Sequence, residues 1–215
     1  NTSRAPRGGD RVDERQFQAD PRLAVVLALG AWNIAKEGDP NGLFVPRRGV
    51  YNFNFFDGHC YVARDPLLGA TIQRSNLLTR LGDMLVQRGV YDRVLLVPIA
   101  HGGTFAAEWA PNGRMHPRLR RAIKMLRRRN IELTHVLWQQ GEAEAATPGA
   151  DPKQWVEHFS AIVYTIRSAA SDSVIYVAQC TVCRNEPNEI IRASQRSVVD
   201  PARRIFAGPD LDVIG

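Results

Sequence analysis

Short apolar segments that alternate with amphipathic helical patterns restrict the fold of this chain more than any other feature. Four of them read LAVVLAL (23–29), DRVLLVPIA (92–100), THVLW (134–138) and SVIYVAQC (173–180). Nearly continuous apolar character indicates strands that are buried on both faces, and strands separated by helices favour a parallel sheet. We therefore predict an α/β fold, a three-layer α/β/α sandwich around a mostly parallel sheet of about five strands.

The remaining segments complete this sandwich. The stretch 49–63 alternates aromatic and polar residues around a turn at Asp57-Gly58, which favours a hairpin or an edge strand. RIFAG (204–208) is typical of a short final strand. Helical patterns with apolar residues on one face lie at 75–89, 118–130, 152–170 and 188–202.

Composition and length favour one folded domain that follows a short arm. Residues 1–20 are polar and charged and lack an apolar period, so we predict a mobile arm there. Residues 21–215 contain neither a repeat nor a linker, and 44% hydrophobic residues in a 215-residue chain suit a single domain with one sizeable core. No apolar run approaches the ~20 residues that span a bilayer, so we expect no membrane span. The sequence leaves the compartment and the oligomeric state open.

The basic charge is concentrated in one predicted helix. The net charge is +6, and RLRRAIKMLRRRN (118–130) contains the densest run of arginines. Its apolar residues recur on one face: Leu119, Ala122, Ile123 and Leu126. The arginines are therefore expected on a solvated face, and because no aromatic residue interleaves with them to stack on bases, we predict no nucleic-acid partner. An interaction module that uses this helix is an alternative, and steep salt dependence of partner binding would be its mark.

The cysteines do not form a metal-site pattern. CTVC gives Cys180 and Cys183 the C-x-x-C spacing, but no second pair and no histidine cluster accompanies it. We interpret CTVC as a strand end that enters a loop, with a local disulfide as the alternative if the protein is exported. We predict neither a metal nor a cofactor.

Three predicted strand ends carry glycines and polar side chains, and ligands bind at such ends in parallel sheets. They read Gly30-Ala31-Trp32-Asn33, His101-Gly102-Gly103-Thr104 and Gln139-Gln140-Gly141-Glu142. A Gly-Gly turn leaves backbone N–H groups free to point at a ligand oxygen, and Gln140 adds a side-chain amide donor. Paired donors of this kind around a cleft are the components of an oxyanion hole.

These blocks resemble motifs of a known hydrolase family. WQQGEAEA resembles the W-H-Q-G-E-(S/A)-D block of the sialate O-acetylesterase-like and carbohydrate acetylesterase branch of the SGNH (GDSL) hydrolases. AHGGT with the downstream Trp109 resembles the G-G-T/S block of that branch, and LALGAWNIAKEG falls where it has its G-Q-S-N block. The resemblance covers about residues 23–215. It implies the SGNH, flavodoxin-like fold and a small-molecule or carbohydrate acetyl ester as substrate, with no metal or cofactor.

The resemblance also implies a role for each matching residue. The nucleophilic serine of G-Q-S-N corresponds to Trp32, and Asn33 matches the asparagine beside it. The oxyanion hole would use the backbone at Trp32, the glycine that matches Gly102 or Gly103, and the amide of Gln140.

Further residues of the cleft follow from the same blocks. His101 would lie in the cleft, and Glu142 would hold its loops together by hydrogen bonds. The histidine of W-H-Q-G-E is Gln139 here. The D-x-x-H block, which supplies the family's general base and its orienting acid, would lie beyond Gly215, so we expect residues 21–215 to lack it, and the sequence leaves open whether the native chain continues with it.

The residue at position 32 determines the predicted activity. An indole N–H can only donate a hydrogen bond, and the ring would fill the space of an acyl group, so we predict an impaired or inactive acetylesterase. One alternative is a non-catalytic carbohydrate-binding or interaction module on the same fold, with Trp32, Trp109 and Trp138 as aromatic surface. A second is an active esterase whose nucleophile lies elsewhere. A third is direct activation of water by His101.

Overall fold

The computed structural model of the chain describes residues 11–31, 43–71, 75–182 and 186–213. The strands in these ranges are β1 Arg11–Val12, β2 Leu23–Gly30, β3 Val50–Asn54, β4 His59–Val62, β5 Arg93–Pro98, β6 His135–Gln139, β7 Val174–Gln179 and β8 Ile205–Asp210. The α-helices are α1 Leu77–Gln87, α2 Ala106–Trp109, α3 His116–Arg128, α4 Glu142–Ala145, α5 Pro152–Arg167 and α6 Glu189–Ser197. Short 3-10 helices lie at Glu14–Phe17 and Pro201–Arg203.

The sheet is mostly parallel, as the sequence predicts. Its spatial order is β1-β4-β3-β5-β2-β6-β7-β8. β2 is parallel to β5 and β6, which flank it, and Ala28 lies opposite Pro98 on one side and Leu137 on the other. Among the described strands only β4 is reversed, and it pairs antiparallel with both β3 and β1. The sheet has eight strands rather than about five, because the segment 49–63 supplies two strands and the N-terminal segment adds an edge strand.

Helices cover both faces of the sheet, which confirms the three-layer architecture. Every residue of β2 is buried, and successive residues point to opposite sides. Leu27 belongs to the larger core, which also contains residues of α3 and α5. Val26 belongs to the second core, which contains Leu78 of α1. Because both faces of the central strands are packed, polar side chains can reach a ligand only where the strands end.

The N-terminal segment differs from the predicted arm. β1 pairs with β4, and the 3-10 helix that follows it buries Phe17, which packs edge-on against Tyr51 at 4.9 Å between ring centroids. The Glu14 carboxylate accepts a hydrogen bond from the Cys60 backbone N–H at 3.3 Å. Phe17 is the one fully buried apolar anchor of this segment, with Val12 partly buried against the same core, so the sequence has no periodic pattern that could have revealed it. Residues 1–10 lie outside the described residues.

The arginine-rich helix α3 has the predicted apolar face. Its buried residues are Leu119, Ala122, Ile123 and Leu126. The helix begins at His116, with Pro117 in its first turn, where a missing N–H costs no hydrogen bond. In the described parts of the chain, no helix is both long and apolar enough to cross a membrane.

Candidate active site

The carboxyl ends of three neighbouring strands meet at one edge of the sheet. The backbone N–H of Ala31 donates to the Gln139 carbonyl at 2.6 Å, and the His101 N–H donates to the Gly30 carbonyl at 3.0 Å. Gly30 has a φ of +114°, and a Cβ there would lie 2.0 Å from the Gln139 carbonyl oxygen, so only glycine fits. The strand order also reverses at β2, and ligands bind at such switch points in open α/β sheets. Trp32 and Asn33, which follow in sequence, lie outside the described residues.

The turn after β5 exposes backbone to the cleft. Gly103 is exposed with a φ of +69°, and His101 and Gly102 are half-buried. His101 Nδ1 lies 3.0 Å from the Gly102 carbonyl oxygen, which favours a proton on Nδ1 and leaves Nε2 as the acceptor nitrogen. Thr104 closes the turn by donating its hydroxyl to the His101 carbonyl at 2.9 Å. The turn therefore offers a candidate base beside the N–H groups of two glycines.

Gln140 lies beneath this turn in a closed polar network. Its amide nitrogen donates to the Thr104 carbonyl at 3.1 Å and to the Glu144 carboxylate. Its amide oxygen accepts from the Trp155 indole N–H at 2.7 Å. The residue is 0% exposed, and both amide hydrogens are engaged. In this arrangement Gln140 links the turn after β5 to α4 and α5, and it would have to release a partner to donate to an oxyanion.

Two buried carboxylates of α4 differ in their partners. Glu144 accepts from the Ala106 backbone N–H at 2.7 Å in addition to Gln140. Glu142 is 6% exposed, and its oxygens make no hydrogen bond of full geometry within the described residues, although the Cys180 thiol and nearby backbone N–H groups approach them closely. Burial raises the pKa of both carboxyl groups. The loop-tying role expected of Glu142 is therefore performed by Glu144.

Polar groups of the β6 and β7 ends surround Glu142. The Gln139 amide nitrogen lies 3.5 Å from the Cys180 sulfur, and the Gln139 amide oxygen has no hydrogen-bond partner among the described residues. Burial, followed by the nearby charge of Glu142, raises the pKa of the Cys180 thiol well above its usual range. This thiol is thus held as an unreactive neutral group. Cys183 lies outside the described residues, and no group of three metal-ligating side chains occurs within them.

Gln195 of α6 is a site residue that the sequence did not single out. Its amide nitrogen donates to the carbonyls of Gln140 at 3.0 Å and Cys180 at 3.1 Å, and its amide oxygen accepts from the Cys180 N–H at 3.2 Å. It lies four residues after the buried Ile191, on the inward face of the helix. A glutamine on the apolar face of an amphipathic helix was the signal that could have found it.

Two of the tryptophans belong to the core. Trp109 is 0% and Trp138 is 1% exposed, so neither offers a surface for a sugar ring. The Trp109 indole N–H donates to the Thr104 hydroxyl at 2.9 Å and supports the turn from below. The aromatic surface suggested for a binding module therefore reduces to Trp32.

A family model matches most of the sequence, including the segments that follow β5 and β6. The model for "carbohydrate esterase, sialic acid-specific acetylesterase" matches residues 62–212, which is well over half of the chain. The chain belongs to this carbohydrate esterase family. The resemblance read from the Gln-Gly-Glu and Gly-Gly-Thr blocks is thereby confirmed.

Solved structures share the fold of this carbohydrate esterase family member at low sequence identity. A protein from Arabidopsis thaliana matches with a TM-score of 0.65 at 14% identity, over 88% of this chain and 86% of that one. A carbohydrate acetylesterase from Xanthomonas citri matches with a TM-score of 0.50 at 16% identity, over 88% of this chain and 50% of that one. An active-site mutant of a family two carbohydrate esterase from Clostridium thermocellum matches with a TM-score of 0.52 at 13% identity, over 90% and 56%. The chain thus spans about half the length of the last two. No curated protein matches the sequence.

Proposed function

We propose that this chain has a carbohydrate acetylesterase scaffold whose hydrolysis of sugar acetyl esters is impaired because Trp32 occupies the nucleophile position. The supporting observation is the position of Gly30 and Ala31. Their backbones are hydrogen-bonded to the segment that follows β5 and to the end of β6, and Trp32 is the next residue in sequence.

Ester hydrolysis at this junction needs a nucleophile, a base and donors for the oxyanion. His101 is the candidate base, since its half-buried imidazole has Nε2 available. The N–H groups of Gly102 and Gly103 are the candidate oxyanion donors, because the Gln140 amide is engaged in the network beneath them. The missing component is the nucleophile, since an indole N–H supplies neither a lone pair nor a proton that a histidine could remove.

The substrate class follows from the family. The family is that of sialic acid-specific acetylesterases, and the proposed ligand is an O-acetylated carbohydrate. A binding module without catalysis remains the second candidate, because a cleft that keeps its oxyanion donors but lacks a nucleophile can still hold an ester.

The first test compares the unmodified chain with Trp32→Ser on an aryl acetate and on an O-acetylated sugar. We expect the unmodified chain to match the buffer rate, and the serine variant to raise kcat/KM by about 100-fold, because His101 can then activate a hydroxyl. Trp32→Ala is the matched control, since it opens the same space without adding a nucleophile. Trp32→Ser combined with His101→Ala should lose the gain.

Each other outcome has a distinct meaning. Turnover by the unmodified chain well above buffer would refute the proposal and place the nucleophile elsewhere. Equal activity of the alanine and serine variants would indicate water activation in a widened cleft. An inert serine variant would show that Trp32 is not the sole cause of the impairment and would refute the proposal in this form, and equilibrium binding of an acetylated sugar would then test the binding module.

A further inference from the structure

A basic groove runs along α3, outside the strand-end cleft. Its volume is about 1340 Å³, and its walls include residues of α3, the C-terminal half of α5 and the turn between β3 and β4. Its lining contains no Asp or Glu, and its basic side chains are Arg118, Arg120, Arg121, Lys124, Arg127 and Arg128. Like charges collected in a concave surface concentrate the positive potential there.

The charges of this basic groove are not neutralised by neighbouring carboxylates. None of its six basic side chains forms an ion pair with another described residue. Arginines elsewhere on the surface do: Arg93 pairs with Asp20 at 2.6 Å, and Arg192 pairs with Asp210 at 2.6 Å. Other exposed arginines outside the basic groove also form no ion pair with a described residue, for example Arg48, Arg88 and Arg203. The basic groove is therefore distinguished by collecting six such cations in one concave surface whose lining has no carboxylate.

Two of these arginines are fixed as part of the wall. Arg118 donates to the carbonyls of Ile99 and Gly69, each at 2.6 Å, and its guanidinium lies 4.6 Å from the centroid of the Phe55 ring. Arg121 donates to the Phe55 carbonyl at 3.1 Å. Burial lowers the pKa of Arg118 to about 10, so this side chain is charged at neutral pH without a carboxylate partner. Fixed cations lose little conformational entropy when an anion binds to the groove.

We propose that the basic groove binds a carboxylated polysaccharide, whose repeated carboxylates pair with the cations along α3. Guanidinium groups match carboxylates in geometry as well as in charge. The choice of a saccharide rests on the proposed function, since the family acts on carbohydrate. Ile99, to which Arg118 donates, lies two residues before His101, so a bound chain would lie near the strand end that carries the candidate base.

Other polyanions fit the basic groove less well. Arg118 lies over the rings of both Phe55 and Phe56, at 4.6 and 5.4 Å, so these faces are not free to stack on bases. Of the lining residues, only Tyr164 is an exposed large hydrophobic residue, at 75% exposure. A membrane-binding surface would place several apolar anchors beside its cations, and it would not be concave.

The test measures binding of a fluorescently end-labelled homopolymer of sialic acid to the intact chain. The groove variant carries Arg120→Gln, Lys124→Gln and Arg127→Gln, three exposed positions on one side of α3. The charge-matched control carries Arg48→Gln, Arg88→Gln and Arg203→Gln, which are exposed and lie outside the groove lining. We expect the groove variant to bind about tenfold more weakly than the unmodified chain in about 50 mM NaCl, and the control to change by less than about twofold.

Comparison probes and salt decide between the possible occupants. Binding of the sialic acid polymer should weaken as NaCl rises from about 50 to about 200 mM, with a shallower dependence for the groove variant. Neutral dextran should not bind, and a DNA oligonucleotide and anionic phospholipid vesicles should bind more weakly than the polymer. Absent binding, an equal loss in both variants, or tighter binding of DNA or vesicles would each overturn the proposal. The assay contains no ester, so its result is independent of the Trp32 proposal.

A folding control accompanies both triple variants. Their thermal midpoints should lie within about 3 °C of the unmodified chain, because the substituted side chains are exposed. If the groove variant melts earlier, the single variants Lys124→Gln and Arg127→Gln are measured instead. We then expect each to weaken binding by about threefold, and no loss in either would refute the proposal.

Discussion

Glu142 and Glu144 lie two residues apart on the same short helix, and both are almost fully buried, at 6% and 8% exposure. Their surroundings nevertheless differ. Glu144 accepts from a backbone N–H and from the Gln140 amide. Glu142, in contrast, makes no hydrogen bond of full geometry among the described residues and is approached only by the Cys180 thiol and nearby backbone N–H groups. Residues two apart on a helix point to nearly opposite sides, so one carboxylate reaches the turn after β5 and the other reaches the ends of β6 and β7.

The surroundings of Glu144 stabilise the fold, whereas stability alone does not explain the surroundings of Glu142. The Glu144 side is a closed network that fixes the turn carrying His101. The Glu142 side buries a carboxylate and the Gln139 amide oxygen without hydrogen bonds of full geometry in the described parts, which opposes folding. A buried carboxyl group whose pKa is raised, as that of Glu142 is, is a common property of functional sites.

The largest effect is expected for Glu144→Ala. It leaves two buried donors unpaired, the Ala106 N–H and one hydrogen of the Gln140 amide, and we expect a loss of about 3 kcal/mol in the free energy of unfolding. Denaturant unfolding measures this change. Glu142→Ala is the matched control, because it removes the same atoms from the same helix. An equal loss in the control would remove the distinction between the two carboxylates.

A smaller loss is expected for Trp155→Phe. The indole N–H donates to the Gln140 amide oxygen at 2.7 Å, and the ring stacks on Phe159 with 5.6 Å between centroids. Phenylalanine keeps most of the stacked surface and removes the donor, so we expect a loss of about 1–2 kcal/mol by thermal or denaturant unfolding. Combined with Glu144→Ala, the losses should be non-additive, because both changes act on Gln140. Additive losses would mean that the network is not one unit.

The smallest effect, opposite in sign, is expected for Glu142→Gln. Burial raises the pKa of Glu142 above its ordinary value of 4.5, so its burial costs stability only as it ionises. That cost is absent below the ordinary pKa and grows as the pH rises toward the raised one. We therefore expect the glutamine variant to gain about 1 kcal/mol at about pH 8 and little at about pH 4, measured by urea unfolding at both values. A loss of stability at pH 8 would show that the ionised carboxylate has a stabilising partner.

The periodicity of apolar residues in the sequence is sufficient to predict the layered architecture. The apolar segments at 23–29, 92–100, 134–138 and 173–180 correspond to β2, β5, β6 and β7. Each of these segments alternates with a helical pattern along the chain, and helical connections of this kind are what a parallel sheet requires. The edge strand β1 was not predicted, because its pairing with β4 depends on residues about fifty positions away and on the burial of Phe17 alone.

At the candidate site the sequence identified the blocks but not the partners within them. The sequence shows three strand ends that carry glycine and polar residues. The structure brings them together at one junction, with a backbone conformation at Gly30 that only glycine fits. The sequence predicts that Glu142 holds the loops together, but it did not identify Glu144, which accepts from the Ala106 N–H, because a short helix leaves its rotation about its own axis undetermined from sequence. The contribution of Gln195 was missed because it comes from a helix more than fifty residues away in sequence.

The sequence by itself determined the family and the parallel sheet, and it predicts Trp32 at the nucleophile position, because motifs and periodicity are local in the chain. Only the tertiary structure decided that Gln140 is engaged, that Glu142 makes no hydrogen bond of full geometry within the described residues, and that the cations of α3 line a groove without carboxylates. Those properties depend on which side chains of distant elements come within hydrogen-bond distance, and no local pattern specifies that.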